Sequence, residues 1–208
     1  MDRILLSIVL CSIPERIQTL SVMLKELQRQ IGDDPVQLLV LTDNKQMTIG
    51  RKRQFLNVMA LGKYIVHIDD DDRIEPNLVE ELMNIINMGK EVDVICYLVT
   101  VNIDQQPSKL CVYHKDFVYQ NSLQVCYRHP NPRCCFLRYL ALMIPFKDIS
   151  FAEDDDWAHQ MRHYIKRQVS IHKILYHYDY VSKDESWYGG GIPPPRLCIP
   201  FIRYNLSL

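Results

Sequence analysis

Four consecutive carboxylates, Asp69-Asp70-Asp71-Asp72, follow the apolar run Tyr64-Ile65-Val66-His67-Ile68. A run of that composition reads as a buried strand, so the acids leave its C-terminal end together. Alternate side chains of an extended chain point the same way, and like charges held close repel one another unless a cation sits between them. Mg2+ or Mn2+ is the hard, oxygen-seeking ion that suits such a set, and it usually completes its shell with water and a substrate diphosphate. The plain alternative is a solvated acidic turn that caps the next helix. A second acidic group, Glu153-Asp154-Asp155-Asp156, precedes Trp157 about 80 residues further on. It opens a predicted helix, where acids suit the positive end of the backbone dipole and where one of them can act as a proton acceptor. Two further groups carry chemistry: the basic triplet Arg51-Lys52-Arg53 at a helix start, and the turn His129-Pro130-Asn131-Pro132-Arg133, a candidate contact for acceptor or phosphate.

The elements that must position these groups are legible in the periodicity. Ile4 to Cys11 reads as a strand covered on both faces, and Ile17, Leu20, Met23, Leu24, Leu27 and Ile31 recur at helical spacing behind it. Val36 to Leu41 is a second strand ending at Thr42-Asp43-Asn44. A helix over Ile49 to Leu61 is closed by Gly62 in the place of a left-handed cap, and the strand from Tyr64 then runs into the acids. Pro76 suits the first turn of a third helix, and Val92 to Val101 is a fourth apolar strand. Such alternation predicts a parallel, doubly wound sheet with ligands at the C-terminal strand ends. Beyond Asp104 the spacing predicts short strands over Leu110–Tyr119 and Gln124–Tyr127, helices over Arg133–Ile144 and Asp154–Arg167, and a strand over Val169–Tyr178.

Composition excludes several classes. At 208 residues with 48% hydrophobic side chains the chain has the make-up of one globular domain, and 24 Lys plus Arg against 25 Asp plus Glu leave no general affinity for nucleic acid. Residues 128–208 are mildly basic, with 11 basic and 8 acidic side chains and five of the seven histidines. The seven cysteines form no C-x-x-C pair and are odd in number, which fits a reducing cytoplasm. No run approaches the roughly 18 apolar residues of a membrane helix.

The stretch from Gly50-Arg51-Lys52-Arg53-Gln54, through Ala60-Leu61-Gly62-Lys63-Tyr64-Ile65, to Ile68-Asp69-Asp70-Asp71-Asp72-Arg73-Ile74-Glu75-Pro76 resembles the central signature of glycosyltransferase family 2. It matches in order and spacing over about 27 residues, departing at Gln54, where the family usually has Asn. The resemblance implies an α/β fold of GT-A type: a Rossmann-like, mostly parallel sheet flanked by helices in a single domain. It divides the chain into a nucleotide-sugar half (1–104), an acceptor-side half (105–186) and a C-terminal tail (187–208). It implies Asp69 and Asp71 as the Asp-x-Asp pair, with Asp71 the direct ligand of Mn2+ or Mg2+ and Asp69 near the ribose or a metal-bound water. Asp70 and Asp72 support them. Pro14, Glu15 and Arg16 stand where the family's nucleotide-cradling turn lies, Asp43 matches the acid that accepts a hydrogen bond from the base, and Arg53 matches the family arginine.

At the second cluster the resemblance implies Asp154 as general base and Glu153 as an aid in orienting the acceptor. His177 follows a late strand, where some GT-A enzymes place a third metal ligand; a structural histidine is the alternative. Trp187 with Gly189-Gly190-Gly191 implies a lid or a loose tail. The implied activity is transfer of a sugar from a nucleotide sugar, a UDP-sugar first, to an acceptor hydroxyl with inversion. The acceptor is a saccharide, a small molecule, a protein or a hydroxylated DNA base, the last making a DNA-modifying enzyme. A non-catalytic sugar-nucleotide binding module is the other reading. Nucleotidyl transfer lacks its phosphate-binding glycine loop here.

Overall fold

The structure, a computed structural model, describes residues 4–103 and 107–180; the expected tail with Trp187 and its glycines lies outside the described residues. Strand β1 (Leu6–Ser12) is buried almost throughout and pairs in parallel with β2 (Val36–Thr42) on one side and β3 (Tyr64–His67) on the other. Helix α1 (Ile17–Ile31) connects β1 to β2 and buries Leu20, Met23 and Leu27, the stripe its spacing predicts. Helix α2 (Ile49–Met59) connects β2 to β3 and packs on both β1 and β2. The short β4 (Arg73–Ile74) follows the acids, then α3 (Leu78–Asn87), whose cap is Asn77, so that Pro76 precedes the helix rather than starting it. Strand β5 (Val94–Ile103) closes the first half.

The second half builds onto the same sheet. After β6 (Lys109–Tyr113), β7 (Gln120–Asn121) and β8 (Val125–Arg128), strand β9 (Cys135–Leu137) enters antiparallel between β3 and β5. Phe136, fully buried there, faces Ile65 on one side and Val94 on the other. The helix expected over 133–144 is therefore interrupted: Cys135–Leu137 are strand, and only α4 (Arg138–Ala141) is helical. Helix α5 (Glu153–Met161) stops short of Arg167 because buried Asp93 takes the backbone N–H groups of Lys166 and Arg167 at 2.7 and 2.8 Å, turning the chain into β10 (Gln168–Tyr180). β10 runs parallel to β5 and touches β4 with its other edge. The long ladders are parallel and the antiparallel pairings are short, so the sheet is mostly parallel and flanked by helices.

Two glycines set helix positions by closeness. A Cβ on Gly50 would stand 1.8 Å from the Lys147 carbonyl oxygen, so the start of α2 lies against the 147–150 loop; Gly50 N–H also donates to the Ile149 carbonyl at 2.9 Å. Gly62 is not the left-handed cap its place after the helix predicts, since positive φ among described glycines is confined to Gly32 and Gly89. A Cβ there would meet the Ser7 nitrogen at 2.5 Å; close passage along β1 is what requires glycine.

Candidate active site

The acids after β3 leave the sheet at its C-terminal edge and are held individually. Asp70 is buried under the Pro14–Arg16 turn, accepting from Ser12 Oγ at 2.6 Å and Arg16 Nη1 at 2.8 Å. Arg16 Nη2 reaches Asp71 at 2.7 Å, and Asp71 is the most open of the four, its side chain 39% exposed. Thus the turn at Pro14 is fastened to the acidic strand end by the arginine that the sequence places in it. Asp72 is anchored from β10: Tyr176 Oη donates to it at 2.6 Å, as does the Asp179 N–H at 3.1 Å, while Tyr176 Oη accepts the Asp69 N–H at 3.0 Å. Asp69 lies between two guanidiniums, Arg53 Nη2 at 2.9 Å and Arg133 Nη2 at 3.0 Å.

Those two arginines carry the connection to the second acidic group. Arg53 Nε donates to Glu153 at 3.1 Å, and Arg133 Nη1 stands 3.5 Å from Asp154. Acids about 80 residues apart in the chain are therefore joined through shared cations. The start of α5 is fixed from below by Trp157, buried, stacked on Phe146 at 5.3 Å, edge-on to Phe136 at 4.9 Å and donating to the Ile144 carbonyl at 2.9 Å. One turn of helix separates that anchor from Glu153 and Asp154. Ala152 at the N-cap has φ 58, a left-handed setting uncommon for alanine, and supplies no side-chain cap. Nor do Asp155 and Asp156 cap the helix: Asp156 pairs with Lys147 and Gln160.

Electrostatics follow from this packing. Burial alone would raise Asp69, but Arg53 and Arg133 outweigh it and hold the carboxyl well below its usual range. Burial, then the charge of Asp69, pushes Asp72 up to about 8 against the pull of Arg133. Glu153 is raised by burial and by Asp154, with Arg53 opposing. Six carboxyls (Asp69 to Asp72, Glu153, Asp154) face three guanidiniums (Arg16, Arg53, Arg133), and after burial it is a neighbouring acid that raises Asp72 and Glu153. Such an excess of hard oxygen donors suits a divalent cation that takes one or two carboxylates and fills its shell with water and diphosphate oxygens. Among the described residues no three His, Cys, Asp or Glu side chains form a ready cage, so a cation here would depend on those outside ligands.

Other residues singled out in the sequence fall as follows. Asp43 pairs with buried Lys52 and accepts the Met47 N–H at 2.6 Å; burial works against ionisation, yet Lys52 and that N–H hold it below the usual carboxylate value. Lys52 also donates to the Ser12 carbonyl at 2.8 Å, whereas Arg51 is exposed. Gln54 accepts the Phe146 N–H at 3.1 Å, so the residue that departs from the family pattern ties α2 to the loop before α5. Both ring nitrogens of His177 are engaged away from the acids, Nδ1 with Thr100 Oγ1 and Nε2 with Glu75, each at 2.6 Å. His129 is buried among the rings of Tyr119 and His159 with Arg162 at 3.2 Å; burial and then the Arg162 charge push it down to about 4. Its segment is a tied turn, with the Pro132 carbonyl accepting from His67 N–H at 3.0 Å, and it delivers Arg133 to the site. Tyr176, Ser12 and Trp157 were not distinguishable as site-builders in the sequence, where each is an ordinary core or turn residue.

No protein-family model matches the chain, and no curated protein matches it in sequence. Solved structures do match in shape. S. aureus TarS aligns with TM-score 0.61 at 13% identity, covering 85% of this chain and 37% of TarS. Its 1–349 fragment in complex with UDP-GlcNAc gives 0.58 at 12%, covering 86% and 59%. The mannosyltransferase PcManGT from Pyrobaculum calidifontis, in complex with GDP-Man and Mn2+, gives 0.58 at 12%, covering 90% and 60%. This chain thus spans less than two thirds of each of these proteins, and the likeness shows its fold: GT-A type.

Proposed function

We propose that this chain is a glycosyltransferase that moves a sugar from a nucleotide sugar to an acceptor hydroxyl, with inversion and with help from a divalent cation. The single observation that supports it most is the convergence of Asp69 with Glu153 and Asp154 around Arg53 and Arg133 at the C-terminal edge of the sheet. The nucleotide lies over the Pro14–Arg16 turn, with Asp43 toward the base. Asp71, the open acid, holds Mn2+ or Mg2+ with Asp69 beside it, and the ion when bound offsets charge on the leaving diphosphate. Asp154 takes the proton of the acceptor hydroxyl as its oxygen bonds to the anomeric carbon and the bond to the diphosphate breaks on the opposite face. Glu153, fixed by Arg53, orients that acceptor. His177 serves as a third ligand only by giving up Glu75. A UDP-sugar is the first choice of donor, because UDP-GlcNAc and GDP-Man are the sugars bound in the structural relatives and a base N–H of either would meet Asp43. The unbridged cysteines of the described residues suit a cytoplasmic setting, and no helix among those residues is long and apolar enough to cross a membrane.

A thermal-shift screen of UDP-, GDP- and dTDP-sugars with Mn2+ tests this reading. A ligand at about 100 times its dissociation constant stabilises by about 2.7 kcal/mol, which moves the midpoint of a domain this size by about 5–10 °C. A shift of that size with UDP-sugars is expected; no shift with any nucleotide sugar contradicts the proposal.

A further inference from the structure

Arg133 touches both ends of the site at once. Its Nη2 makes a full hydrogen bond to Asp69 at 3.0 Å, whereas Nη1 stands 3.5 Å from Asp154 and Nε 3.9 Å from Asp72. The first contact is an anchor; the other two are longer than hydrogen bonds and hold by charge alone. Nε is buried and makes no hydrogen bond, so the guanidinium is not locked by its full set of donors. Its Cζ lies 4.6 Å from the centroid of the Tyr178 ring, over a face on which a guanidinium can turn without losing contact. The backbone beneath is fixed: Arg133 N–H donates to Asn131 Oδ1 at 3.2 Å and its carbonyl accepts from Tyr97 Oη. A rigid base thus carries a planar cation with one secured edge and one edge shared between the two acidic groups.

A carboxylate drawn to an arginine is turned toward that cation and away from an acceptor hydroxyl. A diphosphate offers the same guanidinium two oxygens in the fork geometry it prefers. We propose that Arg133 is a positioning residue that couples the donor to the base: it holds Asp154 until a nucleoside diphosphate group binds, then turns its Nη1 edge to the phosphates and releases Asp154 toward the acceptor. This rests on the site reading above. It predicts that the donor binds before the acceptor and that Asp154 responds to a ligand it does not touch.

The test uses full-length, 13C-labelled protein and UDP with Mg2+, which is diamagnetic. The Asp154 side-chain carboxyl signal is assigned by its loss in Asp154→Asn and followed as UDP is added. In the wild type it moves as UDP saturates. In Arg133→Gln it starts at the displaced position and stays there, and UDP binds about tenfold more weakly for the lost charged contact. Arg133→Lys keeps the charge without the fork, so it restores much of the UDP affinity but not the UDP-dependent movement, which separates coupling from a structural role. If UDP binds the wild type and the Asp154 signal does not move, the coupling is wrong; the wild-type titration alone settles that even if the variants fail to fold. If neither UDP nor GDP nor dTDP binds the wild type, the underlying donor site is wrong and the coupling falls with it.

Discussion

Asp154→Asn is expected to leave the fold intact, to bind UDP no more weakly than the wild type, and to slow sugar transfer by about 10²–10⁴-fold, the usual contribution of a positioned general base. The side chain stands at the first turn of α5 with its carboxylate toward Arg133 and 27% exposed, so the amide fits the same space without stranding a buried charge. Release of UDP from the donor identified by the thermal screen, with water as the slow acceptor, supplies the readout before a natural acceptor is known. Glu153→Gln has a different expected signature. Glu153 is buried and ion-paired with Arg53, so the amide keeps the shape of the side chain and gives up the pair, and its effect falls on acceptor orientation more than on the proton transfer.

Arg53→Met is expected to lower stability by about 3–5 kcal/mol, the usual cost of removing one partner from a buried ionic group, and hence the midpoint by about 10 °C. The guanidinium is buried between Asp69 and Glu153, and burial alone would favour its neutral form; Asp69, then Glu153, outweigh that and keep it charged. Once it is removed, Asp69 retains Arg133, but Glu153 has no cation and must take up a proton. Adding Glu153→Gln to Arg53→Met therefore recovers part of the loss, and the recovery measured by chemical denaturation gives the coupling between the two positions. Additive losses would mean that the pair does not share a charge environment.

The first half of the fold could be read from the sequence because its signals are local. Apolar runs bounded by Pro, Gly and Asp make β1, β2, β3 and β5, and the stripe through Leu20, Met23 and Leu27 makes α1. The second half could not, because its elements take their form from distant partners. Cys135–Leu137 lies within the segment read as a helix over 133–144, yet becomes a strand because the gap between β3 and β5 offers unpaired backbone on both sides. Helix α5 does not resume beyond its last turn because Asp93, some 70 residues earlier, takes the N–H groups of Lys166 and Arg167. The acids of the candidate site were legible as clusters and Arg16 and Arg53 as residues of it, but the bridging of the two clusters through Arg53 and Arg133 was not. Repulsion among Asp69 to Asp72 pointed to a cation, and three of the charges that answer it belong to the protein: Arg16, Arg53 and Arg133. Nothing in the turn His129 to Arg133 marks its last residue as the one that reaches both clusters, since that depends on Pro132 docking to His67 across the sheet edge.

The claim on which the account depends is that one site, made from both acidic groups, takes a nucleoside diphosphate together with a divalent cation. Calorimetric titration of UDP into the wild-type protein and Asp71→Ala, each with Mn2+ and with EDTA, tests it most directly. The wild type is expected to bind UDP with Mn2+ and to lose at least tenfold in affinity with EDTA, while Asp71→Ala binds equally weakly under both conditions. Wild-type binding of UDP that is indifferent to the metal, or an Asp71→Ala protein that keeps the full metal response, would contradict it.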